Sequence, residues 1–173
     1  MEIQMQLITK GNVKTTHQAF YVDKKNKAKT KNRVEIASKL IPFLKTKLNF
    51  ASDLTIIISF IKAKKTAGMY QPTYRTAIVD PRMGTIEQFV DCLCHELIHA
   101  EQYHTGMLST VFDCNEGTKF VWNKGQPKGL PYSHAKYLAL PWEVDARTRA
   151  KELVKEIQES GILGTTYLKQ MYV

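Results

Sequence analysis

Residues 95–99 read His-Glu-Leu-Ile-His. On a helix, positions i and i+4 share one face, a turn apart. His95 and His99 can therefore turn two imidazole nitrogens toward one metal ion. Glu96 stands beside them, next to whatever fills the open side of that ion. A carboxylate there can take a proton from a metal-activated water, which makes Glu96 a candidate general base. Two histidines alone hold zinc too weakly for catalysis. A catalytic zinc site normally has three protein ligands and leaves the fourth position to water.

Three residues are candidates for the third ligand. His104 lies on the same helix, but Gln102 stands where a glycine would have to turn the chain back toward the metal. His104 should then point along the helix into solvent. His134 sits in a loop, Pro131-Tyr-Ser-His134, whose surroundings do not call for a metal. Glu143 opens the last helix, within Leu140-Pro-Trp-Glu-Val-Asp-Ala-Arg147. The apolar stripe of that helix runs Ala146, Ala150, Leu153, Val154, Ile157, and stepping back three from Ala146 lands on Glu143. A carboxylate aimed into a core needs a cation. Glu143 is therefore the expected third ligand, against the plainer reading of an acid that favours the helix dipole. Asp145 falls on another face, with Thr148, Arg149 and Glu152.

These side chains need elements to position them. Thr85 and Gln88 are spaced as a capping box, which predicts a helix from there to about His104. Ile86, Phe89, Val90, Leu93, Leu97 and Ala100 would form its core face. Pro141 fits the first turn of a last helix over 141–160, ended by Gly161. An earlier helix is expected over about 32–49, where Val34, Ala37, Ile41, Leu44 and Leu48 recur at spacings of three and four. Leu54-Thr-Ile-Ile-Ile-Ser-Phe-Ile61 reads as a central, covered strand. A second strand is best seen in Tyr74–Val79, with Pro72 at a sheet edge or outside the sheet. Residues 118–123 read as a strand entering a glycine-containing loop, and residues 1–22 as one or two short strands.

The 173 residues suffice for one domain, with a core over about 32–160 and a basic N-terminal extension over 1–31. Hydrophobic content of 43% and charged content of 24% are those of an ordinary globular chain. No apolar run reaches the length of a membrane span. The first residues lack a basic segment followed by an apolar one, so no secretory signal is expected and a cytoplasmic location, in a cell or an infected host cell, is. Three cysteines, Cys92, Cys94 and Cys114, lack structural zinc-site spacing and read as free thiols. Lys24, Lys25, Lys27, Lys29, Lys31 and Arg33 carry most of the net charge of +9. Such a run can contact nucleic acid or another polyanion. Without interleaved aromatic residues to stack on bases, a solvated loop is the simpler reading.

His95-Glu-Leu-Ile-His99 followed by Pro-Trp-Glu143-Val-Asp-Ala146 resembles the zincin peptidases of gluzincin type, with their Glu-x-x-Ala third-ligand helix. The order of elements over roughly residues 32–155 resembles the minimal SprT-like and phage-encoded predicted metallopeptidases. The resemblance implies an α+β minimal zincin-like fold, a small twisted sheet against the motif helix with flanking helices. It implies one catalytic zinc ion on His95, His99 and Glu143, Glu96 as base, and an extended polypeptide substrate along a sheet edge. The strand around Tyr74–Val79 is the expected edge. Tyr132, His134 and Tyr137 precede the third-ligand helix and are candidates to bind substrate or stabilise an oxyanion. The gluzincin Glu-x-x-x-Asp pattern has Arg147 at its last position, and Asp145 is the candidate carboxylate behind a histidine. Two other readings are a nucleic-acid-associated protein with a structural or non-catalytic zinc, and a SprT-like protease recruited to DNA by its basic segment.

Overall fold

The computed structural model describes residues 6–8, 19–21, 27–59, 61, 67–130 and 133–164. The architecture is α+β, with four helices and three small sheets. Strands β1 (Gln6–Ile8) and β2 (Ala19–Tyr21) pair in parallel. Helix α1 (Lys27–Lys47) follows, then β3 (Thr55–Ile58), β4 (Gly68–Gln71) and β5 (Thr76–Val79). Helix α2 (Ile86–His104) leads into the hairpin β6 (Leu108–Asp113) and β7 (Gly117–Trp122). A short α3 (His134–Leu138) precedes α4 (Pro141–Ser160).

Helix α1 begins five residues before Asn32, so the basic run is not a loop from Lys27 onward. Lys, Ala and Thr at its start carry no helix-breaking Pro or Gly, and burial of Thr30 and Arg33 holds this first part against the body. Arg33 donates to the Met83 carbonyl at 3.4 Å and lies over the Phe89 ring. Its charge is thereby turned inward.

The three-stranded sheet has the order β3-β5-β4. β5 runs parallel to β3 and antiparallel to β4, with Ile58 and Gly68 both opposite Val79. This corrects two expectations. The central strand is β5, not the isoleucine-rich β3, and the segment Tyr74–Val79 is therefore not an edge. The apolar run at 55–58 reflects full burial of one face, at Ile56 and Ile58, and partial cover of the other rather than a middle position. Pro72 stands outside the strands, in a tight turn over Pro72–Tyr74 that joins β4 to β5.

One core joins α1, α2, α4 and the inner face of the sheet, centred on Leu40, Leu44, Ile56, Phe89, Leu93 and Leu97. A smaller cluster of Leu108, Leu140 and Trp142 seats the β6–β7 hairpin, with Phe120 stacked on Trp142 at 5.6 Å. α4 packs along α2 more extensively than any other pair of elements does. Ala146 and Ala150 lie in that contact with almost no exposure, and their small size permits the close approach. Among the described residues, no helix is long and apolar enough to cross a membrane.

Candidate metal centre

Helix α2 begins as its sequence requires. The Thr85 side chain accepts from the Gln88 amide at 3.1 Å, and the Gln88 side chain accepts from the Thr85 amide at 3.1 Å. The box starts α2, and the i, i+4 spacing within that helix puts positions 95 and 99 on one face. The two Nε2 atoms lie 3.1 Å apart. Helix α4 opens with Pro141 in its first turn and points Glu143 at the same spot. Glu143 Oε2 is 3.5 Å from His95 Nε2, and Oε1 is 3.3 Å from His99 Nε2. His95, His99 and Glu143 form a cluster that could hold a metal ion.

Glu143 is buried, and burial alone would raise its pKa. Hydrogen bonds from the two imidazoles, the charge of His99 and the Tyr137 hydroxyl hold it instead well below the ordinary carboxylate range. Glu96 is not one of the three. It lies one residue along α2, buried, and lines the same cleft. Burial pushes its pKa up to about 6, against the pull of the two histidines. Gly68 of β4 packs directly over it. A Cβ at that position would come within 2.6 Å of Glu96 Oε1 and 2.7 Å of Cys92 Sγ.

The cleft measures about 920 Å³. β4 forms one side through Gly68, Met69 and Tyr70, and the hairpin and α3 form the other through Leu108, Phe120 and Tyr137. The amide of Asp80 donates to the Ala67 carbonyl at 2.8 Å, which sets the β4–β5 ladder. In an antiparallel ladder the bonded residues alternate, so Gly68 and Tyr70 turn their backbone groups away from β5, toward the side of β4 on which no described strand pairs.

The other anticipated residues fall as follows. His104 is exposed at the end of α2, as expected. His134 is exposed and lines the cleft without joining the metal cluster. Tyr137 uses its hydroxyl on Glu143 Oε1, at 2.6 Å, so it buttresses that carboxylate. Burial, then Glu143, raise its own pKa. Tyr132, Lys24 and Lys25 lie outside the described residues, as does the Lys27 side chain. Lys29 and Lys31 are exposed on the first turns of α1, and Lys29 donates to the Arg82 carbonyl. Cys92 and Cys94 are buried, Cys114 is exposed, and all three are free. Burial raises the pKa of both buried thiols.

Asp145 does stand behind a histidine, but through an intermediary that sequence reasoning missed. His99 Nδ1 meets Gln102 Oε1 at 2.8 Å, and Gln102 Nε2 donates to Asp145 Oδ2 at 2.8 Å. The i, i+3 spacing of His99 and Gln102 was the available signal. Gly68 carried no such local signal, because its role comes from a neighbour on another element. No protein-family model, no curated protein and no solved structure matches the chain.

Proposed function

We propose that this chain is a zinc-dependent metallopeptidase with a minimal zincin-like fold. The observation that carries the reading is the convergence of His95, His99 and Glu143 on one spot, with a second carboxylate, Glu96, beside them and outside the trio. Donors bound at 2.0–2.2 Å around a tetrahedral zinc stand about 3.3–3.6 Å apart; here the two Nε2 atoms are 3.1 Å apart, and each lies beside a different oxygen of Glu143, His95 at 3.5 Å from Oε2 and His99 at 3.3 Å from Oε1. Two imidazoles and one carboxylate are also the donor set of a catalytic rather than a structural zinc. A sheet packed on α2, with α4 alongside, supports the zincin-like assignment.

When bound, zinc supplies Lewis acidity, acidifying a water and polarising a carbonyl oxygen. The chain's own groups do the rest. Glu96 accepts the proton of the attacking water at its carboxylate and returns it to the departing amine. Gly68 and Tyr70 offer outward backbone groups to an extended polypeptide, which pairs along that side of β4. Tyr137 holds Glu143 in place, and the apolar walls of the cleft exclude water around the scissile bond.

Glu96→Gln tests the reading. The variant should fold, keep one zinc per chain, and lose cleavage of a proteome-derived peptide library by about 10²–10⁴-fold. In parallel, Glu143→Gln should reduce the zinc bound, read by metal analysis. A Glu96→Gln protein that cuts like wild type removes the proposed base. Wild-type protein that binds zinc and cuts nothing would leave the metal with a structural role.

A further inference from the structure

The metal trio is backed by a buried polar layer between α2 and α4, and Gln102 sits at its hub with no exposure. Its Nε2 donates to the Trp142 carbonyl at 3.0 Å and to Asp145 Oδ2 at 2.8 Å. A carbonyl and a carboxylate only accept, so the amide cannot be turned round. Its Oε1 must then face His99 Nδ1 as the acceptor, at 2.8 Å. The proton of His99 that survives at every charge state is therefore the one on Nδ1. What the ring can offer a metal is Nε2, the nitrogen that faces His95 and Glu143.

We infer that Gln102 is a positioning residue of the metal centre, holding His99 as the Nδ1–H tautomer with its Nε2 lone pair free for the ion. This rests on the metal-centre reading proposed above. The layer continues beyond the amide. Arg149 donates to Asp145 at 3.4 Å and pairs with Glu101, whose Oε1 accepts from the Asn49 amide at 2.7 Å. The orientation of one ligand ring is thus tied, through hydrogen bonds alone, to the chain leaving α1.

Methionine nearly matches glutamine in shape but cannot supply the strong acceptor or the two donors. The Gln102→Met protein should therefore bind zinc about 10–100-fold more weakly than wild type in competition with a chromophoric chelator. Thr85→Ala, which weakens α2 far from the trio, should leave zinc affinity within twofold. Long-range ¹H–¹⁵N spectra of the histidine rings supply a readout that packing alone would not move. Wild-type His99, neutral or zinc-loaded, should show a protonated Nδ1, and Gln102→Met should lose that single form. The inference is overturned by an Nε2–H tautomer in neutral wild type, by a Gln102→Met affinity within twofold, by equal weakening in Thr85→Ala, or by wild-type protein that takes up no zinc. None of these measurements is cleavage, so a protein that binds zinc tightly and cuts nothing sinks the peptidase reading while leaving this one standing.

Discussion

At the scale of single residues, what distinguishes Glu96 from Glu143 is the company each keeps. Both are buried carboxylates. Glu143 faces two imidazoles and a hydroxyl, and its charge is stabilised far below the ordinary range. Glu96 lies under the backbone of β4 with less compensation, and its pKa rises to about 6. The close approach of β4 depends on Gly68 having no side chain. A methyl group there would stand 2.6–2.8 Å from Glu96 and Cys92 atoms, and the flexible carboxylate would be the first to move. On the peptidase reading, Gly68→Ala should then lower kcat by about 10–100-fold, because a displacement near 1 Å is enough to spoil a catalytic geometry. Zinc content should stay at the wild-type level, since Gly68 does not approach the trio's ligand atoms as it does Glu96. Full peptidase activity in the variant would show that Glu96 need not sit where β4 confines it.

At the scale of elements, α2 sets the spacing of the site. Its 19 residues span about 28 Å, and Thr85 and Gln88 cap its start. Thr85→Ala removes one half of the capping box and should cost about 1 kcal/mol. In a chain of this length that lowers Tm by about 2–4 °C in a calorimetric scan, and an unchanged Tm would mean that tertiary packing alone holds the start of the helix. Such local signals are why α2 and α4 were legible in the sequence. A capping box, Pro141 in a first turn and Gly161 at φ 66° each act within a few residues. The same helical periodicity brought His95, His99 and Glu143 forward together. Pairing between strands is not local, and there the reading failed. The isoleucines of β3 suggested a central strand, but the order of the sheet depends on which neighbours arrive after residue 67. The residue pattern gave no sign of β6 because Ser109, Thr110, Val111 and Phe112 are all exposed, which erases the alternation that marks a half-buried strand. α3 is only five residues long, too short for any periodic pattern.

At the scale of the whole molecule, the site stands on a joint between the sheet and α2, and Asp80 ties the β3–β4 connection to the turn that leads from β5 into α2. Its carboxylate is almost fully buried, yet it accepts from the Ile61 amide at 3.0 Å and from the Arg82 amide at 2.8 Å, and it pairs with the Arg82 side chain. Its own amide holds Ala67, so the far side of the β3–β4 connection closes on the same residue. Burial works against the charge, but the Arg82 hydrogen bonds, the Ile61 amide and the Arg82 charge outweigh it, and the pKa falls below the ordinary 3.8. A carboxylate whose pKa is lower when folded adds stability wherever it is ionised in the unfolded chain. That contribution is complete above about pH 5 and fades as pH falls through the unfolded value and on toward the lower folded one. Asp80→Asn should therefore cost about 2–3 kcal/mol at neutral pH, from lost charge-assisted hydrogen bonds to a buried acceptor. In urea melts the gap between wild type and variant should stay constant from pH 7 to 5 and shrink below about pH 4. Titration of the other carboxylates is common to both proteins and cancels in that difference. A gap that holds its size at pH 3 would mean that Asp80 stabilises the joint through shape rather than charge. With the joint weakened, β4 loses its fixed distance from α2, and the backbone that confines Glu96 moves with it.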